Sequence, residues 1–271
     1  MSVAIRPSVT AGFAVLAAAF LALATPGAAL AKCLKAVAGQ SPLLHQASFV
    51  PAAAAPHTVN ITYVGHSSFL IETPDGLRIV TDFNGFNGAD RVPELVTMNN
   101  AHESHFTDFL PDNVVHALRG WDPAGGVAEH DLTYRDVTVW NIPTNVREWD
   151  GTRLNGNSIF VFEVSDLCIA HLGHLHHRLT KEDLVALGRI DVLMVPVDGS
   201  FTLAQTLMKE VVDQIQPSIV LPMHFFGQST LARFLALLGE NHDVDVRDDP
   251  AITVSHANLP AKPTVIVLPG F

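Results

Sequence analysis

Residues 59–82, VNITYVGHSSFLIETPDGLRIVTD, carry the clearest indication of the fold. The first six residues alternate between apolar and polar side chains, as half-buried β-strands do. Gly65-His66 then turns the chain into a second apolar run at 68–72, and Pro74-Asp75-Gly76 is a turn signal before a third run at 77–81. The stretch therefore predicts three consecutive strands in a β-meander.

Outward from this stretch, hydrophobic periodicity predicts the remaining elements. Further strands are predicted at 95–98, 137–142, 158–164, 167–170, 190–197, 218–222 and 264–268. A capping box, with Thr180 at the N-cap and Asp183 at N3, predicts a short helix that ends at Gly188. Two more helices are predicted at 204–215 and 229–239. Strand-rich segments followed by alternating strands and helices predict an α/β fold of layered sheets covered by helices.

The N-terminus has the pattern of a signal peptide. One positive charge, Arg6, precedes an apolar run at 11–24, and Ala29-Leu30-Ala31 offers small residues for cleavage after Ala31. An uncleaved membrane anchor is the alternative, but the run is shorter than the roughly 20 residues that span a bilayer. We therefore expect a signal peptide at 1–31, a flexible leader at 32–57 and one domain at 58–271, exported to the periplasm or secreted.

The charge balance limits the class of partner. There are 16 Lys and Arg residues against 27 Asp and Glu, for a formal net charge of −11. A nucleic-acid backbone is therefore not expected as a partner. No segment after the signal peptide is apolar enough to cross a membrane. We expect a small-molecule substrate, and the sequence does not indicate the oligomeric state.

The two cysteines, Cys33 and Cys168, leave their pairing open. Export would permit a disulfide between them. However, Cys33 lies in the predicted leader, whereas Cys168 lies in an apolar run typical of a strand. We therefore expect one thiol in a tail and one buried thiol.

The fourteen histidines concentrate after predicted strands. Residues at strand ends lie at the edge of a sheet, where sites are assembled. Neutral imidazole binds divalent metals such as Zn²⁺. There is no His-Glu-x-x-His motif, so a metal would be held by histidines from several loops. The informative histidines are His66, His102, His105, His171, His174, His176, His177 and His224.

Three segments together resemble the metallo-β-lactamase superfamily. They are GHSSFLIE at 65–72 followed by Thr81-Asp82, CIAHLGH at 168–174 running into DVLMVPV at 191–197, and VLPMH at 220–224. They are similar to the branch of zinc-dependent hydrolases related to L-ascorbate-6-phosphate lactonases and N-acyl-phosphatidylethanolamine phospholipases. The resemblance covers nearly the whole predicted domain and implies a four-layer αββα sandwich.

The resemblance implies metal ligands but also shows departures from the family pattern. The first family motif, His-x-His-x-Asp-His, corresponds here to Asn100-Ala-His102-Glu-Ser104-His105. The next family ligand corresponds to 143–145, where no histidine occurs, and the usual bridging Asp is His174. The last ligand is intact as His224. The implied metal ligands are therefore His102, His105, His174 and His224.

This ligand set lacks an aligned carboxylate. Four neutral imidazoles leave the charge of the cation uncompensated, so we expect one ion, zinc or another transition metal, rather than two. Asp82 is expected to orient a ligating imidazole. His177 resembles a histidine that is often present in this branch. Asp82 and His177 are the predicted catalytic residues.

Three functions remain open. The first is a metal-dependent hydrolase that uses a metal-bound water on an ester, lactone, amide or phosphodiester. The second is a non-catalytic exported protein that binds a metal or a ligand in the same fold. The third is a redox or oxygen-using metal centre, since imidazole also binds iron and copper. Substrate specificity is expected to lie in loops at 106–126 and 143–157.

Overall fold

A computed structural model of the chain describes Met1, Cys33 and residues 57–88 and 92–270. Other than Met1, Cys33 and His57, the predicted signal peptide and leader lie outside the described residues. The described part contains fourteen strands and three α-helices. The strands are β1 Val59–Gly65, β2 Ser68–Glu72, β3 Arg78–Val80, β4 Leu95–Met98, β5 His116–Arg119, β6 Asp131–Tyr134, β7 Val137–Glu148, β8 Gly151–Val164, β9 Leu167–His171, β10 Val192–Pro196, β11 Ile219–Met223, β12 Asp243–Val246, β13 Ala251–Val254 and β14 Thr264–Val267. The helices are α1 Lys181–Leu187, α2 Gln205–Ile215 and α3 Gln228–Leu238, with 3-10 turns at Gly239–Asn241 and His256–Asn258.

The strands form two sheets. The first sheet has the order β13-β1-β2-β3-β4-β5, and the second has the order β12-β14-β11-β10-β9-β8-β7-β6. The first sheet begins with the predicted antiparallel meander, and β4 and β5 then add in parallel. In the second sheet β9, β10, β11, β14 and β12 are parallel, whereas β6 to β9 are joined antiparallel.

Two apolar layers hold the fold together. Alternate residues of both sheets, such as Ile61, Phe69, Phe160 and Met194, form a core between the sheets. The opposite face of the second sheet packs against the apolar sides of the three helices. The α/β fold with two sheets is thus confirmed, and among the described residues the helices cover the second sheet. The outer face of the first sheet packs against loop side chains, Phe106, Val114 and Trp121.

The start of α1 agrees with the predicted capping box. The Thr180 hydroxyl accepts a hydrogen bond from the Asp183 amide at 3.1 Å, and the Asp183 carboxylate accepts one from the Thr180 amide at 2.8 Å. These bonds satisfy two amides that the first helical turn leaves without partners. The helix ends before Gly188, as predicted. In the described part of the chain, no helix is long and apolar enough to span a membrane.

Four strands were not predicted, and each is an edge strand. β13 and β5 end the first sheet, and β12 and β6 end the second. Edge strands are short and carry polar residues that prevent pairing with other chains. β6 and β12 are largely solvent-exposed, so their sequences lack a strong apolar pattern.

The expectation of a loop at 143–157 was wrong. β7 continues to Glu148 and β8 begins at Gly151, so most of this segment is a long antiparallel hairpin. The alternation of apolar and polar residues that predicts a strand ends before residue 143. Backbone pairing between β7 and β8 nevertheless continues and extends the sheet. The exposed Trp149 lies at the tip of the hairpin.

The expectation of two unpaired thiols was also wrong. Cys33 and Cys168 form a disulfide, and both residues are buried. The Cys33 carbonyl accepts a hydrogen bond from the Arg189 amide at 2.8 Å, and its amide donates to Glu163 at 3.3 Å. Residue 33 is therefore fixed against β9 and the outer layer of the second sheet.

Loss of this disulfide is expected to destabilise the domain. The bond closes a loop with a sequence separation of 135 residues, and long closed loops restrict the unfolded chain most. We predict that Cys33→Ser lowers the free energy of unfolding by about 2 to 5 kcal/mol. Urea titration with and without dithiothreitol measures this. Wild type should lose stability on reduction and Cys33→Ser should not. An unchanged wild-type midpoint after full reduction would contradict the prediction.

Candidate metal centre

The candidate site lies at one edge of the sandwich, where strands of both sheets end. In the first sheet β1, β3 and β4 run in the same direction, and in the second sheet β9, β10 and β11 do. The segments that follow these six strands carry histidines and aspartates. They are His66, Asp82, His105, His174, Asp198 and His224.

Hydrogen bonds join the two sheets at this edge. The His224 amide donates to the His66 carbonyl at 2.6 Å, and the His171 ring donates from Nε2 to the Ser67 carbonyl at 2.7 Å. The Tyr63 hydroxyl also donates to the His66 carbonyl, at 2.7 Å. The turn after β1 is thus held against the ends of β9 and β11.

Three imidazoles converge here. One ring nitrogen from each of His66, His105 and His224 lies within 4.8 Å of the others. The ring centroids of His66 and His224 are 4.4 Å apart, and those of His105 and His224 are 5.2 Å apart. His105 and His224 are buried, and His66 is partly buried. We call these three residues the histidine triad.

Two buried carboxylates orient two members of the triad. Asp82 accepts a short hydrogen bond from Nδ1 of His105, and its other oxygen accepts one from the Asn99 amide at 3.0 Å. Asp198 accepts from Nδ1 of His224 at 3.1 Å. In both rings Nδ1 is therefore the donor, which leaves Nε2 with its lone pair available. Pairs of this kind fix the tautomer and orientation of ligating histidines.

The pKa values follow from burial and these pairs. Burial would raise the pKa of Asp82, but the charge and hydrogen bond of His105 outweigh it and hold that pKa well below its usual range. For Asp198 burial is likewise outweighed, by hydrogen bonds from His224 and Thr202. Burial lowers the pKa of His66 to about 4, and the neighbouring imidazoles add to this effect. His66 is therefore neutral at pH 7, as a metal ligand must be.

The triad fits a metal ion. Nε2 of His66 and Nε2 of His105 are buried and have no hydrogen-bond partner. Buried polar atoms without partners are costly, and a bound ion satisfies them. Imidazoles from three separate loops form a donor set that binds divalent transition metals.

Backbone strain is concentrated at the same place. His66, Asp82 and His224 have φ angles of 52°, 51° and 53°, in the left-handed region that non-glycine residues rarely adopt. Such conformations persist where the surrounding structure requires them, and they cluster at functional sites. Here they direct the chain sharply away from three strand ends.

The structure places the predicted ligand His174 beside the triad. Its ring centroid is 4.8 Å from that of His105 and 5.1 Å from that of His224. Its Nδ1 shares a hydrogen bond with Nε2 of His176 at 2.6 Å, and its amide donates to Asn157 at 2.8 Å. Burial lowers the pKa of His174 to about 2.

The other two predicted site histidines lie further out. His102 is exposed, shares a hydrogen bond with the Ser104 hydroxyl at 2.8 Å, and has its ring centroid 5.8 Å from that of His105. His177 has both ring nitrogens engaged, since Nε2 accepts from the Asn145 amide at 3.0 Å and Nδ1 donates to the Arg178 carbonyl at 2.8 Å. His177 is therefore not brought into the triad.

Sequence reasoning assigned no metal or catalytic role to His66 or Asp198. His66 has the same signal as the others, a histidine directly after a strand, but the family pattern gave it no ligand role. Asp198 follows β10, whose residues are all buried, and an acidic residue in that place is a usable signal. The hydrogen bond between Asp198 and His224 could not be identified without the fold.

Removal of either carboxylate is expected to weaken metal binding. Asp82→Asn and Asp198→Asn should each lower the affinity for Zn²⁺ about 10- to 100-fold, because the ligating ring loses its orienting acceptor. Competition with a chromophoric chelator measures the affinity. Asp213→Asn, at an exposed residue that pairs with Lys209 on α2, is the matched control. Equal affinities in all three variants would show that the carboxylates do not support a metal site.

Comparison with known proteins identifies relatives of this chain. The sequence profile of the beta-lactamase superfamily domain matches residues 60–224. A metal-dependent hydrolase of Pyrococcus furiosus is 25% identical over 213 residues, which cover 69% of this chain and 95% of the relative. A metal-dependent hydrolase of Pyrococcus horikoshii is 28% identical over 196 residues, with 62% and 84% covered.

Solved structures show the same architecture. A protein assigned as a zinc-dependent hydrolase of the metallo-β-lactamase superfamily from Thermotoga maritima superposes with a TM-score of 0.57 at 26% identity, covering 78% of this chain and 98% of that one. A metallo hydrolase from Ignicoccus hospitalis gives a TM-score of 0.52 at 18% identity, with 79% and 97% covered, and shows the shared fold. With the profile match over more than half of its length, the chain belongs to the metallo-β-lactamase superfamily.

Proposed function

We propose that the protein is a metal-dependent hydrolase in which His66, His105 and His224 hold one zinc ion. The observation that carries the proposal is the triad itself, with two buried Nε2 atoms that lack partners and two carboxylates behind its rings. The Pyrococcus relatives, described as metal-dependent hydrolases, support it. A bound zinc ion would lower the pKa of a water molecule and polarise the oxygen of an ester, lactone, amide or phosphodiester.

A single ion is proposed because the candidate metal-binding group in the described part of the chain consists of three histidines and includes no carboxylate. Asp82 and Asp198 are both used to orient imidazoles. Asn100, at the first position of the family motif, accepts a hydrogen bond from the His102 amide at 3.0 Å. The Ser104 hydroxyl is likewise bonded to His102. Without a bridging carboxylate, a second adjacent cation would face uncompensated repulsion.

His174 is proposed to orient the substrate or the attacking water. Its ring lies against His105 and His224, and its hydrogen bond to His176 fixes the ring. Its proposed role is therefore to form a hydrogen bond to the substrate or to the water.

The departures at Asn100, Ser104 and His174 favour one alternative, an exported metal-binding protein without catalysis. Such a protein would keep the triad and bind zinc, but it would hydrolyse no substrate. Activity therefore separates the two functions, and metal binding alone does not.

Metal content and hydrolysis test the proposal together. Elemental analysis of protein purified without chelator should give one zinc ion per chain. Chelator should abolish hydrolysis across a panel of ester, lactone, amide and phosphodiester substrates, and added Zn²⁺ should restore it. His66→Ala, His105→Ala and His224→Ala should each lower kcat/KM at least about 100-fold, since an incomplete ligand set neither retains nor positions the ion.

The matched control is His256→Ala, at an exposed histidine in a 3-10 turn. It should keep full activity and full metal content. Two zinc ions per chain would contradict the single-ion proposal. Activity that survives all three triad substitutions would place the reaction elsewhere, and bound zinc with no activity on the panel would favour the non-catalytic alternative.

We also propose that the protein is exported, with cleavage after Ala31. The buried disulfide between Cys33 and Cys168 supports this, because disulfides persist in oxidising compartments and are rare in the cytosol. Cleavage after Ala31 would leave Cys33 in the mature chain, so the bond survives processing. The signal-peptide pattern at 1–31 gives independent support.

Fractionation tests export. When the full chain is expressed in a Gram-negative bacterium, the protein should appear in the periplasmic fraction and N-terminal sequencing should begin at Lys32. Replacing Leu21 by Arg within the apolar run should retain the protein in the cytoplasm at full length, because a charge in the run blocks its recognition. Wild-type protein in the cytoplasm with an intact N-terminus would refute the proposal.

A further inference from the structure

Two phenylalanine side chains remain in water beside the histidine triad. Phe201 and Phe226 are 63% and 64% exposed, and their rings contact each other edge to face with centroids 5.7 Å apart. A single exposed apolar residue is ordinary, but contiguous exposed apolar side chains mark surfaces that bind a ligand or a partner. We call these two residues the phenylalanine pair.

The phenylalanine pair is continuous with the triad. The Phe226 ring centroid lies 5.4 Å from that of His224 and 6.0 Å from that of His66. A molecule that reacts at the triad therefore has an apolar surface next to its reacting bond.

The positions of both rings are fixed by the residues that build the site. Phe226 comes two residues after His224, in the short connection between β11 and α3. Phe201 lies in a turn whose amides point at one carboxylate: Asp198 accepts hydrogen bonds from the Ser200 amide at 2.8 Å and the Phe201 amide at 2.5 Å. Asp198 is also the residue that orients His224. The Asp198 carboxylate thus fixes both the orientation of the His224 ring and the backbone position of Phe201.

From this arrangement we propose that the phenylalanine pair binds the apolar acyl group of an ester substrate. The proposal rests on the proposed hydrolase function and narrows its substrate class to esters that carry an apolar acyl chain. In the reaction the oxygen of water bonds to the acyl carbon, and the bond from that carbon to the alcohol oxygen breaks. The proton goes to the alcohol, so the products are an acid and an alcohol and no redox partner is needed.

The physical consequence is a dependence on chain length. Each methylene that leaves water for an apolar surface strengthens binding by up to about fourfold. Wild-type kcat/KM should therefore rise from p-nitrophenyl acetate to the butanoate and the hexanoate, measured below their critical micelle concentrations. The expected gain in kcat/KM per methylene is smaller than for full burial, since the phenylalanine pair covers one side of the acyl chain.

Substitution of the pair should remove this dependence. Phe226→Ala and Phe201→Ala should lower kcat/KM for the hexanoate about tenfold, and for the acetate less than about twofold, because only the longer chain reaches the rings. Zinc content should stay at the wild-type level. Phe226→Leu should restore part of the preference. The control is Val185→Ala, at an apolar residue of α1 that is 66% exposed, close to the exposure of the pair.

The outcomes separate this inference from the proposed function. Metal-dependent ester hydrolysis that is independent of chain length, or equally reduced by Val185→Ala, would overturn the inference and leave the hydrolase intact. A preference that appears only above the critical micelle concentration would also overturn it, since it would reflect adsorption to aggregates.

Hydrolysis of lactones, amides or phosphodiesters without any ester hydrolysis would overturn the inference alone. If wild type hydrolyses no substrate of the panel, the proposed function fails, and binding tests the pair separately. Saturation-transfer NMR with butanol, hexanol and octanol on wild type should show binding that increases with chain length and is lost in Phe226→Ala. Equal signals from wild type and Phe226→Ala would overturn the role of the pair in binding alkyl chains.

Discussion

The amide of His224 donates a hydrogen bond of 2.6 Å to the carbonyl of His66, and this bond joins the two sheets where their parallel strands end. The two residues are distant in sequence, and the bond brings their rings together. Because both have left-handed backbone conformations, the chain must turn sharply to make it. The third ring, His105, reaches the same space from the loop after β4. The site therefore depends on how the two sheets are aligned at this edge.

Buried charge enforces that alignment. Asp82 and Asp198 are buried carboxylates, and a buried charge without a partner is strongly destabilising. Each accepts hydrogen bonds from its histidine and from backbone amides, and the bond from the histidine selects the ring orientation that leaves Nε2 available. Asp198 also holds the turn that carries Phe201. Orientation of the triad and presentation of an apolar surface are thus coupled through one residue, which links the proposed chemistry to the proposed substrate class.

Sequence reasoning identified the inner strands, the helices and the α1 capping box, because burial imposes a periodic pattern on them. It missed β5, β6, β12 and β13, the four edges, where pairing on one side forms a strand without that pattern. At the site it identified His105 and His224 as ligands because both positions match motifs of the family that the sequence resembles. His66 also follows a strand, but no family ligand corresponds to it, and its approach to the other two rings is a tertiary property that the local sequence does not show. The buried disulfide was missed for the same reason: nothing local to Cys33 shows that residue 33 packs against β9.

An anomalous difference map at the zinc edge, from crystals of zinc-loaded protein, tests the central claim most directly. We expect one peak per chain, coordinated by Nε2 of His66, His105 and His224, with Asp82 and Asp198 bonded to the opposite ring nitrogens of His105 and His224. Two peaks, or a single peak coordinated by His102 and His174 without His66, would contradict it.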